Sequence, residues 1–450
     1  MKAFRSTGLL LLLAALLGGW IWFRERDPVA PDGNEILWTF NAASVNNIEL
    51  QNGERKLTLT RKGEAWTVTG NSNNAVPADT TQIESLLQQI RQVQSDTVIP
   101  ASTNRAEYGL QSPQSTLIVD GRTLQFGIKS PFDPSRIYAQ SDNKIALLPA
   151  ALQSWTTKSL DEWRDKAVLR FAPEPVSEFS INAPSLKATF AKDVQRSSET
   201  EHFWRVAQPV NMRADAAAIQ SFLSALSTAQ TTKFLDDSPT QWQLDKPTAT
   251  LQIDSETSLH IGKKVEGGYA AQSSKNASVF LLSDATFGLL NRPLRDWLAK
   301  TVLPFNLNDV SSLRVEARGK TLEFAGNGIR WQPTNGAYNE AVSHAVTDLL
   351  LAAQSLNASE VLLDKSPASA KYGLDKPLLH LVLKTKQGDL QLRLSRKNNR
   401  IYAASQIGAE PMQFFSLPPD ALETFNKKVK VLFPEKHSPG TKSDKLKNTS

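Results

Sequence analysis

One ordered set of landmarks occurs three times in this chain, and it constrains the fold more than any single motif does. "FNAASVNNIEL" begins at Phe40, "FAPEPVSEFSI" at Phe171 and "FNLNDVSSLRV" at Phe305, so the phenylalanines stand 131 and 134 residues apart. Each is followed five residues on by a valine (Val45, Val176, Val310), and then by apolar residues three and five further along. A tryptophan comes next in each copy, at Trp66, Trp204 and Trp331. After it, Asp79 and Asp215 each head a stripe of apolar residues at offsets of four, seven, eight and eleven, which predicts a capped amphipathic helix. Val342, Ala345, Val346 and Leu349 repeat that stripe behind Asn339 in the third copy. "EYGLQSP", "WQLDKP" and "KYGLDKP" then carry Leu110, Leu244 and Leu374 with Pro113, Pro247 and Pro377. Tyr138, Tyr269 and Tyr402 follow in the same order.

Between the landmarks, stretches such as "NIELQNGERKLTLTRKGEAWTVTG" alternate apolar and polar residues around glycine turns, the pattern of half-buried antiparallel strands. The predicted class is α+β. It comprises three tandem homologous domains, each mainly antiparallel strands with one amphipathic helix and a short terminal helix, after one N-terminal transmembrane helix. At about 130 residues each unit is long enough to bury a core of its own. The expected boundaries are 36–170, 171–304 and 305–433, with a linker at 24–35 and a flexible tail at 434–450.

The N-terminus explains why an anchor is expected. Lys2 and Arg5 precede an uncharged run from Gly8 to Phe23, and a helix of that length rises roughly 24 Å, slightly short of a hydrocarbon core. A cleaved signal peptide is the competing reading, but the run ends in "GGWIWF" instead of the small residues of a cleavage site. The charge flanks favour residues 1–7 as a cytoplasmic N-terminus, 8–23 as the anchor and an exported body. The chain has no cysteine, which excludes disulfides and thiolate chemistry and suits an oxidising compartment. Its net charge of +6 is spread without a dense basic block, so nucleic acid is not an expected partner.

No phosphate-binding glycine loop and no nucleophile elbow is present, and the five histidines are scattered. Carboxylates cluster at Asp161, Glu162 and Asp165 and at Asp236 and Asp237, where solvated turns or helix starts are the expected roles. The landmarks shared by all copies, Phe40, Phe171, Phe305, the three tryptophans, the three leucines and prolines, and the three tyrosines, are expected to be structural. No catalytic, cofactor-binding or metal-ligating residue is assigned.

The ordered set of Trp66 and Val68, the helix after Asp79, Tyr108 to Pro113, and Gly127, with their counterparts in the later copies, resembles a bacterial family of unknown function. That family is associated with GldG-like, gliding-motility type auxiliary proteins of ABC transport systems. Copy two departs from it at Trp242-Gln243-Leu244, and copy three has Ser395 where the glycine stands. The resemblance implies a periplasmic accessory protein held at the bacterial inner membrane by one helix, binding or scaffolding within an ABC-type transport or envelope-remodelling system and not acting as an enzyme. Its implied partners are the inner membrane through residues 8–23 and proteins such as an ABC permease, without nucleic acid and without a cofactor. A stand-alone periplasmic scaffold is the alternative, and an enzyme with an unrecognised site the third choice.

Overall fold

The computed structural model describes residues 35–434, apart from 37, 39, 72–73, 92, 96, 101–103, 194–202, 236–238, 364–368 and 387. The expected anchor at 8–23 and nearly all of the linker and tail lie outside these residues. Among the described residues no helix is long and apolar enough to cross a membrane.

Three antiparallel sheets carry the three copies. In the first sheet the strands run in the spatial order Ala75–Pro77, Ala65–Thr69, Arg55–Lys62, Asn47–Asn52, Ser115–Val119, Arg122–Lys129, Arg136–Ser141, Lys144–Pro149 and Val98–Pro100. The chain therefore makes two meanders whose first strands, Asn47–Asn52 and Ser115–Val119, pair at the centre of the sheet. The helix Thr80–Ile90 passes from one sheet edge to the other between the meanders, so its apolar stripe must cover one sheet face. Ile83, Leu86, Leu87 and Ile90 are accordingly buried against the inward residues of the strands, including Ile48, Leu59, Val68 and Phe126. Asp79 caps this helix by accepting from the Gln82 backbone amide, as the spacing predicts.

The second sheet has the same order, from Met212–Arg213 at one edge to Phe234–Leu235 at the other, with the helix Ala216–Ser227 capped by Asp215. In both copies the closing segment returns to the helix start. The Trp163 carbonyl accepts from Asp79 N at 2.9 Å, the Trp297 carbonyl accepts from Asp215 N at 2.8 Å, and both indoles are fully buried.

The third sheet has eight strands and lacks the edge strand that follows the tryptophan. Trp331 stands only eight residues before its cap, Asn339, against thirteen from Trp66 to Asp79 and eleven from Trp204 to Asp215, too short a stretch to lay down that strand. A side chain takes its place. Ser343 is buried at the offset held by Ile83 and Ile219, and its Oγ accepts from Trp331 N at 2.9 Å and donates to the Ile329 carbonyl at 3.3 Å. Of the expected stripe, Ala345, Val346 and Leu349 are buried and Val342 is half-buried, while Ser343, Leu350 and Ala353 were not anticipated. The terminal helix of this copy, Ala421–Leu432, is also longer than the short one expected. It packs on the helix Glu340–Gln354.

The chain divides into two compact units, with the boundary between Lys166 and Ala167. The first holds the nine-stranded sheet, a two-stranded ribbon of Glu35–Ile36 with Gln94–Ser95, and one core cluster. In the second, one continuous apolar cluster runs through both sheets, because Leu298, Val302 and Leu303 of the connecting segment are themselves buried in it. The second and third copies thus share a core, where three separately buried cores were expected.

Candidate functional site

The shared landmarks lie where packing needs them. Trp66, Trp204 and Trp331 are buried, as are Leu110, Leu244 and Leu374, while Phe40, Phe171 and Phe305, the three prolines and the three tyrosines are half-buried. The recurring turn packs on the sheet face away from the helix. In the third copy Tyr372, Leu374, Ala404 and Phe414 form a small second cluster there, and Leu244, Ala270 and Val279 form its counterpart in the second. Tyr108 lies 4.7 Å from Tyr138 between ring centroids and Tyr372 lies 4.8 Å from Tyr402, whereas Tyr269 stacks at 3.9 Å on Phe287.

The glycine of the following strand is explained by the same turn. A Cβ on Gly127 would sit 2.0 Å from the Tyr108 carbonyl oxygen, and one on Gly262 would sit 2.0 Å from that of Trp242. In the third copy the Ser395 hydroxyl instead donates to the Tyr372 carbonyl at 2.6 Å, so the same close approach is met by a hydrogen bond. The left-handed turn residue is Gly109 or Gly373 in copies one and three, and Gln243 takes that conformation at φ 58° in copy two.

The residues that distinguish the copies meet elsewhere. A cleft of about 720 Å³ opens in the second unit, where the edge of the second sheet, the connecting segment and the strand ends of the third sheet come together. Its apolar lining includes Phe203, Met212, Phe305, Leu390 and Ile407, and its charged groups are Asp193, Arg205, Arg213, Asp309 and Glu410. Arg213 ties the two walls together. Its Nη2 donates to the Val302 carbonyl at 2.8 Å and to Ser405 Oγ at 3.3 Å, and its Nε donates to Gln413 Oε1 at 3.3 Å. Ser405 and Gln413 are buried, so these bonds are formed away from water, where a charged donor strengthens them. Gln354 Nε2 donates to the Phe305 carbonyl at 2.8 Å, Arg205 bonds Asn211, and Asp309 faces Lys386 at 3.3 Å. The arrangement is a preformed concave surface with an apolar floor and both signs of charge at its rim, suited to holding an amphipathic chain segment.

None of the landmark positions except Trp204 and Phe305 lines this cleft. Sequence reasoning missed it because its walls lie about two hundred residues apart. A usable signal was present in the repeats, since Arg213 precedes the shared Ala-Asp pair at the position where the first copy has Pro77. Of the acidic clusters, Glu162 closes a capping box with Ser159 and Asp161 pairs with Arg164, while Asp236 and Asp237 lie outside the described residues. Among the described residues no group of His, Asp and Glu is placed to hold a metal ion. On the third sheet, His380 Nδ1 lies 2.9 Å from Glu316 Oε2 and Arg314 lies 2.7 Å from Oε1. The hydrogen bond from His380, then the charges of His380 and Arg314, hold the Glu316 carboxyl below its usual range.

No curated protein matches the chain. The solved structures aligned with it include a DNA polymerase sliding clamp from Pseudomonas aeruginosa, at 8% identity over 85% of this chain and 93% of that one, with a TM-score of 0.16. A Helicobacter pylori β clamp aligns at 5% identity over 86% and 94%, with a TM-score of 0.15. Caulobacter crescentus pol III beta aligns at 8% over 85% and 94%, with a TM-score of 0.16. These findings correct the partner expectation of the inner membrane through residues 8–23 and an ABC permease with nucleic acid excluded. The aligned proteins are DNA clamps, against the expected absence of nucleic acid, and neither that exclusion nor the membrane nor a permease is carried forward as a partner expectation. TM-scores this low carry no argument about what the present chain binds.

The family model described as "Domain of unknown function (DUF4340)" matches residues 33–113, 66–202 and 204–404, two of the three matches starting at the repeated tryptophan or its position in the copy. Its three overlapping matches together span most of the chain and support a repeated domain, without following the bounds of the individual sheets. The chain is a member of the DUF4340 family.

Proposed function

We propose that this protein is an exported, non-catalytic binding or scaffold protein of the bacterial cell envelope, an accessory of the kind to which the GldG-like resemblance points. In this reading the body is exported, and the cleft between the second and third repeats is its docking site. The observation that carries the proposal is the division of labour among the residues. Most of what the copies share is buried in cores and turns, and residues peculiar to one copy, Arg213 among them, meet at a preformed cleft. A cleft held by packing and by a guanidinium keeps its shape without a ligand, which lowers the ordering cost of binding.

The test is photocrosslinking in living cells from a benzoylphenylalanine placed at Met212, with Tyr269, which stacks on Phe287 and does not line the cleft, as the control position. Specific adducts from position 212 alone are expected. Equal adduct formation from both positions, or none from 212, would overturn the docking role. An alkaline phosphatase fusion at the C-terminus tests export separately, and an inactive fusion would refute it.

A further inference from the structure

The hairpin that joins Arg122–Lys129 to Arg136–Ser141 in the first copy has no equal in the others. Copies two and three make this connection with two-residue turns, Glu266-Gly267 and Asn398-Asn399. The first copy uses the six residues "SPFDPS", and at their tip Phe132 is 93% exposed. Exposure of that degree would suit a floppy loop, yet this loop is braced. Buried Ser130 accepts at Oγ from the amides of Phe132 and Asp133, at 3.3 and 3.4 Å. Asp133 Oδ1 accepts from the Ser135 amide at 3.0 Å and from its hydroxyl at 2.7 Å. Ser130 N donates to the Arg136 carbonyl at 3.0 Å, and Ala150 N donates to the Ser135 carbonyl at 2.8 Å. Pro131 and Pro134 fix two further backbone angles. The loop therefore presents an aromatic side chain to solvent in one prepared conformation, the arrangement of an interface anchor.

We infer that the Phe132 loop of one molecule docks into the cleft between the second and third repeats of another, so that the protein associates head to tail. The inference rests on the docking role given to that cleft and names its occupant as a second copy of this chain. Size and charge point to it. A cleft of about 720 Å³ with Met212, Phe305 and Leu390 in its lining has room for a phenylalanine between two prolines. Lys129 and Arg136 flank the loop and meet the cleft carboxylates Asp193, Asp309 and Glu410, while Asp133 is complementary to half-exposed Arg205. Knob and cleft are different surfaces, so one contact leaves the cleft of one molecule and the loop of the other to engage a further copy or each other.

The absence of cysteine makes the test direct, because any disulfide must come from introduced residues. Full-length Pro134→Cys, which keeps Phe132, and full-length Asn211→Cys, at the cleft rim, are produced with different tags in the same cells and oxidised with copper phenanthroline. A mixed disulfide dimer is expected, with neither variant dimerising alone. Adding Phe132→Ser to the Pro134→Cys chain should cut its yield at least tenfold, and Phe132→Leu should restore most of it. No mixed dimer, or a yield indifferent to Phe132→Ser, overturns the inference. If position 212 still crosslinks specifically to another molecule in that case, the docking role of the cleft survives and only its occupant is wrong.

Discussion

Gly262→Ala should loosen the recurring turn of the second repeat far more than its one methyl group suggests. The new Cβ would lie 2.0 Å from the Trp242 carbonyl oxygen, 3.1 Å from its carbon and 3.3 Å from Leu244 Cδ2. Relief requires the carbonyl to retreat by more than about 1 Å, since nonbonded carbon contacts settle near 3.5 Å. That movement breaks the 3.0 Å bond from Lys263 N to the same oxygen. Overpacking of this kind costs about 1–3 kcal/mol and the lost hydrogen bond about 0.5–1.5 kcal/mol, so the turn should open more readily by about 3 kcal/mol. A change of that size is roughly a hundredfold in the local opening equilibrium. Amide hydrogen exchange followed by mass spectrometry reads it directly, with the Lys263 amide as reporter. Ser395→Gly in the third repeat removes only the bond to the Tyr372 carbonyl and adds backbone freedom, an effect of about 1–2 kcal/mol. Exchange at Lys263 within threefold of wild type in Gly262→Ala would refute the close-approach account of this glycine.

Other outcomes follow from neighbouring features. Trp297 Nε1 has no hydrogen-bond partner among the described residues, and the third repeat places Phe425 at this position, so Trp297→Phe should cost less than about 1.5 kcal/mol in urea unfolding, while Trp297→Ala should cost about 3–5 kcal/mol. Asp215→Ala removes the acceptor for Ala218 N and should destabilise the second unit by about 1 kcal/mol, with Asp215→Asn restoring most of it. Glu316 has a folded pKa below its unfolded value of 4.5, so its stabilising effect is complete above that value and is lost as pH falls through the folded pKa. Urea midpoints measured from pH 6 to pH 3 should therefore fall more steeply for wild type than for Glu316→Gln. Parallel curves would exclude a role for the His380 contact.

The repeats were legible in the sequence because each landmark serves a local purpose. Asp79 and Asp215 cap helices whose stripes are read four residues apart, and the Tyr-Gly-Leu turn announces its left-handed residue through Gly109 and Gly373. Copy three shows the limit of that reading. Apolar residues alone do not define its stripe: buried Ser343 belongs to it, because a missing edge strand leaves the Trp331 amide in need of an acceptor. The cleft was illegible for a different reason. Arg213 and Gln413 acquire meaning only when two sheets meet, and neither residue carries a local pattern that betrays the other.

The common core of the second and third repeats also sets how the molecule bears load. Separate repeats pulled from their ends would give way one after another, each yielding a short length of chain. Here the connecting segment is anchored through Leu298, Val302 and Leu303, and Arg213 clamps Val302 to the strand ends beyond it. Tension applied across this pair must break both sheets' packing at once. The pair should therefore resist as a single mechanical element and then release roughly 900 Å of chain in one step.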